Sequence, residues 1–192
     1  MLCTLALAGC ATTGRSGRPT GSLQRILDTA TSLLGQSKVT VNKRPYRADC
    51  SGFVKAAFSP TNVQLISASA KGASGTELIY QTLRERRRLR GPGSIRPGDL
   101  LFFHNTWDRN KNRLRDDQFT HVALVSQVEP DGTVSYFHYA SGRVKRGVMN
   151  LRHRDEARDP DTGKTWNSPL RVGGGRVLAG QLFFRVGRPL DR

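Results

Sequence analysis

The stretch DCSGFVKAAF, residues 49–58, predicts a short buried helix whose first turn carries a cysteine. Apolar side chains dominate from Phe53 onward, which is typical of a helix packed inside a core. Asp and Ser are preferred at a helix N-cap because their side chains accept hydrogen bonds from unpaired backbone N–H groups, so Asp49 or Ser51 is expected to cap it. Cys50 is then expected at the helix start, where the positive end of the dipole stabilises a thiolate.

On either side of this helix the sequence periodicity changes from helical to β. Apolar residues recur at helical spacing over residues 22–35 and 74–89, which predicts two further helices. The second half is β-rich, and strands are predicted over residues 100–103, 121–128, 134–140, 148–151 and 177–186. Pro130-Asp131-Gly132 predicts a hairpin turn, and residues 105–118 are typical of a polar loop. Helices first and an antiparallel sheet second predict an α+β fold.

The N-terminus differs from the rest of the chain in composition. Residues 1–9 are uncharged and mostly apolar or small, too few to cross a bilayer, which takes about 20 residues, and they are predicted to be the remnant of a signal peptide. Their tail, Leu7-Ala8-Gly9-Cys10, resembles a bacterial lipoprotein cleavage box, in which the cysteine takes a lipid anchor. A plain secretory signal is the alternative. Either interpretation predicts a protein of the cell envelope, anchored to a membrane or secreted to the periplasm.

A chain of 192 residues has the length expected of a single domain. Residues 10–21 are predicted to be a lipidated Cys10 and a flexible tether, and residues 22–192 the folded domain. Export discards Cys3 with the signal, and acylation blocks Cys10, which leaves Cys50 as the one free thiol. A reactive role is therefore favoured for Cys50, and an inert buried cysteine is the alternative.

Nucleophilic catalysis by a thiol also needs a base. The histidines of the chain are His104, His121, His138 and His153. His121 opens a predicted strand and His138 lies in the next one, out of direct register, so a bulge or twist is needed to bring them together. The expected roles are attack on a carbonyl carbon by Cys50, thiolate stabilisation as an ion pair and leaving-group protonation by His121, and orientation of its ring by His138. Histidines that only hydrogen-bond locally within strands remain the alternative.

Four motifs follow one another along the chain: DCSGF at residues 49–53, RPGDLLFF at 96–103, THVALV at 120–125 and YFH at 136–138. In this order they resemble the motifs of the NlpC-type cell-wall cysteine peptidases, over roughly residues 23–141. The resemblance implies a papain-like α+β fold, with N-terminal helices packed on an antiparallel sheet. It also implies hydrolysis of peptide bonds in the peptidoglycan stem, commonly between D-glutamate and diaminopimelate, by Cys50, His121 and His138. Asp49 and Ser51, beside the nucleophile, are predicted to contact the substrate.

The chain also departs from the pattern of this family. The family usually places a tyrosine and paired glycines before its Asp-Cys, where this chain has residues 43–48, and the loop of residues 105–118 is an unusual insertion. Amidases of the CHAP type share the Cys and His strands, but their third residue is usually not a histidine, so His138 favours the NlpC type. Asp99 is predicted to cap a turn rather than to catalyse.

The charge of the chain points to an anionic partner. The 31 Lys and Arg residues outnumber the 15 Asp and Glu residues, giving a net charge of +16 and a pI near 11.0. A non-catalytic basic module that binds the envelope is therefore the second hypothesis. Nucleic acid is not an expected partner, because aromatic-basic interleaving is absent and export removes the protein from the nucleoid. No cofactor is predicted, and no ligand-like spacing of histidines supports a metal site.

Overall fold

The computed structural model describes residues 21–171 and 176–190, and the elements named here belong to that part of the chain. The α-helices are α1 (Gly21–Ser32), α2 (Cys50–Phe58), α3 (Gly75–Glu85) and α4 (Ala179–Leu182). The strands are β1 (Val39–Val41), β2 (Arg44–Tyr46), β3 (Leu89–Arg90), β4 (Leu100–Phe103), β5 (His121–Val128), β6 (Thr133–Ala140), β7 (Arg143–Asn150), β8 (Pro169–Arg171), β9 (Val177–Leu178) and β10 (Phe183–Gly187). Short 3₁₀ turns cover Pro92–Ser94 and Leu151–His153.

The main sheet has six strands in the order β3-β10-β4-β5-β6-β7, and every neighbouring pair is antiparallel. The strands β5, β6 and β7 form a meander, whose first turn is the predicted Pro130-Asp131-Gly132. Gly132 has a φ of +87°, a conformation that glycine adopts without a steric penalty. The predicted α+β fold, with helices packed on an antiparallel sheet, is confirmed.

The sheet is buried on both faces because its side chains alternate between two cores. In β4, Leu100 and Phe102 pack with the helices α1, α2 and α3, whereas Leu101 and Phe103 pack into a second core that includes residues of β9 and α4. All four side chains are fully buried. This double coverage explains why the stretch LLFF is uniformly apolar instead of alternating with polar residues.

The helices pack on the first face through one apolar side each. Leu23, Ile26 and Ala30 recur at helical spacing in α1 and are buried. The predicted helix over residues 22–35 was too long, because α1 ends at Ser32 and Gly35 takes a positive φ of +80°.

The predicted helix over residues 74–89 also ends early. Ser74 caps α3 by accepting a hydrogen bond from the backbone N–H of Glu77, and the helix stops at Glu85. Arg87 adopts a φ of +55°, which reverses the chain so that residues 89–90 join the sheet as β3. The closely spaced arginines of this region therefore span the helix end, a turn and an edge strand: Arg84, Arg86, Arg87, Arg88 and Arg90.

Three further predictions need correction. The basic connection before Cys50 contains the hairpin β1–β2, whose turn residues Asn42 and Lys43 both have positive φ values. The predicted strand over residues 177–186 is interrupted by α4, so only β9 and β10 are extended. The segment after His153, where no strand was predicted before residue 177, contains β8, which pairs with β9.

Asp99 is a structural residue in the fold, as predicted. Its carboxylate is buried and accepts two hydrogen bonds from the guanidinium of Arg188, at 2.9 Å from Nε and 2.8 Å from Nη2. It also accepts a bond from the backbone N–H of Arg96, and Arg188 donates a further bond to the carbonyl of Ser94. This pair joins the start of β4 to the end of β10.

The predictions for the signal remnant, Cys10 and most of the tether fall on residues 1–20, outside the described residues, as does the glycine run at 173–175. Across residues 21–171 and 176–190, none of the helices has both the length and the apolar character needed to cross a membrane.

Candidate active site

Cys50 is the first residue of α2, and the structure identifies its N-cap as Asp49. The carboxylate Oδ1 of Asp49 accepts hydrogen bonds from the backbone N–H of Gly52 at 2.7 Å and from the hydroxyl of Ser51 at 2.8 Å. Its Oδ2 lies 2.6 Å from Nε of Arg47. Asp49 and Ser51 therefore hold the helix start in place, and their predicted contact with substrate stays a prediction.

Two glycines allow the backbone to approach this helix start closely. A Cβ on Gly52 would lie 1.9 Å from the carbonyl oxygen of Arg47, and a Cβ on Gly75 would lie 2.3 Å from Oγ of Ser51. Both separations are far below van der Waals contact. Gly52 thus permits the tight turn that carries Cys50, and Gly75 lets the start of α3 rest against α2.

The sulfur of Cys50 contacts a residue that the sequence did not single out. The hydroxyl of Thr76, in the first turn of α3, lies 3.5 Å from Sγ of Cys50. Burial is the largest influence on this thiol and raises its pKa, while hydrogen bonds from Thr76 and from the backbone of Val122 act in the opposite direction. Residue Val122 directly follows His121, so the sulfur lies at the start of β5.

The two histidines predicted to work together are in contact. Nε2 of His121 lies 2.9 Å from Nδ1 of His138, and both side chains are buried. The rings meet edge to face, with centroids 5.1 Å apart. Because Nε2 of His121 is used by this bond, the other ring nitrogen, Nδ1, is left for a different partner.

A β-bulge puts both histidines on the same face of the sheet. The register of β5 with β6 is Leu124–Phe137, Val125–Tyr136, Gln127–Ser135 and Val128–Val134, with a shift between the second and third pairs. Ser126 is the extra residue, and its hydroxyl donates to the carbonyl of Ser135 at 3.0 Å. Extended by one residue past Leu124–Phe137, this register puts Ala123 opposite His138, whereas an unbroken register would put Leu124 there. Since side chains alternate, only the bulged register gives His138 the same face as His121.

The electrostatics of the site favour uncharged side chains. Burial, and then the neighbouring His138, hold the pKa of His121 well below its usual range. Burial, and then the positive charge of Lys145, lower the pKa of His138 to about 4. Together with the raised pKa of Cys50, these directions favour a neutral thiol beside a neutral imidazole. They oppose the thiolate–imidazolium pair that we expected from the sequence.

The sulfur and His121 open into a common cleft of about 480 Å³. Its walls come from the segment before α2, the first turns of α2 and α3, the loop between β4 and β5, and the end of β6. The lining residues that the sequence had not indicated include Arg47, Thr76, Trp107, Arg109 and Tyr139. Their signal was weak in the sequence, because a single Trp or Arg in a polar loop is typical of an ordinary surface.

The remaining histidines lie apart from this pair. The ring of His104 stacks on Phe184 with centroids 4.0 Å apart, and its Nδ1 accepts a bond from the backbone N–H of Phe119. The ring of His153 stacks on Trp166 at 3.5 Å. Within the described part of the chain, no three His, Cys, Asp or Glu side chains are grouped in a way that would hold a metal ion.

Comparison with known proteins identifies one family. The model described as "NlpC/P60 family" matches residues 35–157, more than half of the chain and the part that carries Cys50, His121 and His138. No match was found among curated proteins or among solved structures.

Proposed function

Since this chain belongs to the NlpC/P60 family of cell-wall peptidases, we propose that it hydrolyses peptide bonds of the peptidoglycan stem with Cys50 as nucleophile. One observation carries the proposal above the others: His121 shares a cleft with Cys50 and is oriented by His138 through a 2.9 Å contact between their ring nitrogens. A nucleophile, a base and a group that orients the base are the parts that acyl transfer by a thiol needs.

We propose a mechanism that starts from the neutral pair. His121 accepts the thiol proton of Cys50 as the sulfur bonds to the substrate carbonyl carbon, and the backbone N–H groups at the start of α2 stabilise the oxyanion. His121 then gives that proton to the leaving amine, and the C–N bond breaks to leave a thioester on Cys50. A water molecule, deprotonated by His121, hydrolyses the thioester and restores the thiol. His138 accepts a hydrogen bond from Nε2 of His121 and so selects the tautomer whose Nδ1 acts as the base.

We propose that the cleaved bond is the one between D-glutamate and diaminopimelate, as the resemblance to NlpC-type endopeptidases implies. We further propose that residues 22–192 form the peptidase domain and that residues 10–21 tether it to a membrane through a lipid on Cys10. Residues 1–9 are then the remnant of the signal peptide. This arrangement would hold the enzyme in the cell envelope, within reach of the peptidoglycan.

The test is digestion of purified peptidoglycan by the full chain beside its Cys50→Ser variant, with the released fragments identified by mass. The wild type is expected to release stem-peptide fragments, and the Cys50→Ser variant to release none. The matched controls are Cys3→Ser and Cys10→Ser, which remove a thiol outside the described residues and are expected to keep the activity of the purified protein.

The masses of the released fragments also identify which bond is cleaved. Fragments that end in D-glutamate support the proposed specificity, whereas free stem peptides with an intact N-terminus would instead indicate an amidase. Equal digestion by wild type and the Cys50→Ser variant would overturn the role of Cys50. Binding to the wall without any release would favour the non-catalytic envelope-binding module.

A further inference from the structure

We propose that the loop of residues 105–118 recognises the substrate, and that Trp107 and Arg109 bind a stem-peptide residue carrying a free carboxylate next to the scissile bond. The inference rests on the proposed function, because it places the bound carboxylate in the same cleft as Cys50. Three features of the loop carry it: its internal order, the exposure of Trp107 and the hydrogen-bonding state of Arg109.

The loop is hydrogen-bonded both internally and to Thr120, the residue before β5. The backbone N–H groups of Thr106 and Arg109 are bound by Thr120 and Asp117, at 2.9 Å in both cases. Asp116 accepts bonds from the side chains of Asn110 and Asn112 further along the loop. These bonds fix the loop before any ligand arrives, and a preorganised wall loses little entropy on binding.

Trp107 projects from this ordered loop into the cleft. It is 52% exposed, which is unusual for so large an apolar side chain, and it lines the same cleft as Cys50 and His121. An exposed indole at the edge of a concave site gives a rigid apolar surface that covers a ligand at small entropic cost. The exposed indole of Trp107 can therefore pack against the aliphatic part of a bound peptide.

Arg109 supplies the charge that selects the ligand. Its Nε lies 3.8 Å from Oδ1 of the buried Asp117, beyond hydrogen-bonding distance, and its Nη1 is shielded from water without a hydrogen-bond partner among the described residues. Asp117 therefore orients the guanidinium while leaving donors on it unused. A guanidinium matches the two oxygens of a carboxylate geometrically, so an anionic group on the substrate is the ligand it fits best.

The other cation of the cleft is already paired. Arg47 also lines the cleft, but its Nε lies 2.6 Å from the carboxylate of Asp49, which caps α2. Arg109 also forms an ion pair, with Asp117, but this contact is longer, at 3.8 Å, and Arg109 lies two residues from Trp107 on the same loop. A positive charge beside an apolar surface suits a peptide with a free carboxylate better than a neutral peptide.

The test compares two synthetic stem peptides, one with the free carboxylate beside the scissile bond and one with the matching carboxamide. Wild type is expected to prefer the free acid in kcat/KM by at least about tenfold, the size of a charge-assisted hydrogen bond. Arg109→Gln should remove most of this preference by raising KM for the acid. Arg113→Gln is the matched control, because it removes the same charge from the same loop outside the cleft lining. Equal preference in wild type and Arg109→Gln would overturn the inference.

Binding without turnover separates this inference from the proposed function. In the Cys50→Ser variant, tryptophan emission should change as the free-acid peptide is added, because Trp107 is exposed while Trp166 is buried against His153. Trp107→Phe should abolish that change, and unaltered emission in the Cys50→Ser protein would contradict recognition by this loop. Failure of hydrolysis with binding intact would count against the proposed function alone.

Discussion

At the scale of single residues, burial and hydrogen bonding shift the pKa of Cys50 in opposite directions. Burial stabilises the neutral forms of both Cys50 and His121, so a neutral thiol is expected in the absence of substrate. Hydrogen bonds from Thr76 and Val122 to the sulfur then favour the thiolate as it forms. Thr76 is therefore a positioning residue in our interpretation, acting through Cys50 rather than on the substrate.

Replacing Thr76 by Val keeps the shape of the side chain and removes the hydroxyl from the sulfur. The alkylation rate of Cys50 by iodoacetamide, followed against pH in a Cys3→Ser, Cys10→Ser background, should rise through an inflection above that of an ordinary cysteine. In Thr76→Val the inflection should lie higher still, and alkylation at neutral pH should slow about fivefold, the size of one lost hydrogen bond. Thr76→Ser keeps the hydroxyl and should restore the wild-type curve. A plateau of reactivity from pH 5 to 8 in the wild type would contradict the neutral pair.

How far the sequence could predict the site is clearest for individual residues. The prediction that Asp49 or Ser51 caps the helix of Cys50 was correct, because capping depends on neighbours within a few positions. The contact of Thr76 with Cys50 joins residues 26 positions apart, and nothing local to either stretch indicates it. Trp107 and Arg109 were missed for the same reason, since their role depends on where a loop folds back.

At the scale of elements, one extra residue in β5 and one glycine in α2 position the functional side chains. The sequence predicted only that a bulge or twist was needed between the two histidines, because periodicity does not locate a single inserted residue within a strand. The bounds of β4 and β5 were predicted correctly, since each ends at a change from apolar to polar sequence. The ends of α1 and α3 were not, because positive φ values at Gly35 and Arg87 stop them within otherwise helical sequence.

Gly52→Ala tests the close approach of the chain to the start of α2. The added methyl would lie 1.9 Å from a backbone oxygen, which cannot rotate away as a side chain can, so the helix start has to move. The free energy of unfolding, measured with urea, should fall by about 3 kcal/mol, the cost of severe overpacking. Gly91→Ala is the matched control, since its Cβ meets nothing within 4 Å, and it should change stability by less than about 1 kcal/mol. Similar losses in both variants would show that the approach at Gly52 is not tight.

At the scale of the whole molecule, the buried histidine pair of the candidate site also affects stability. The sheet is covered on both faces, and the histidine pair lies at one end of it, shielded from water. The net charge of +16 favours association with anionic surfaces in general. Stability, in contrast, is sensitive to any proton that enters the buried pair.

The buried histidines should therefore make the fold sensitive to mild acid. The pKa of His138 is about 4 in the folded chain and about 6.5 when unfolded, so between these values the unfolded state binds the additional proton. Stability is then full above pH 6.5 and falls as the pH decreases toward 4, by about 2 kcal/mol from His138 alone between pH 7 and pH 5. The lowered pKa of His121 acts in the same direction.

Urea unfolding at pH 7 and pH 5 measures this loss of unfolding free energy. The loss should be smaller for His138→Gln than for wild type. His153→Gln keeps both buried histidines and should show the full loss. An equal loss in His138→Gln and wild type would mean that the proton enters elsewhere.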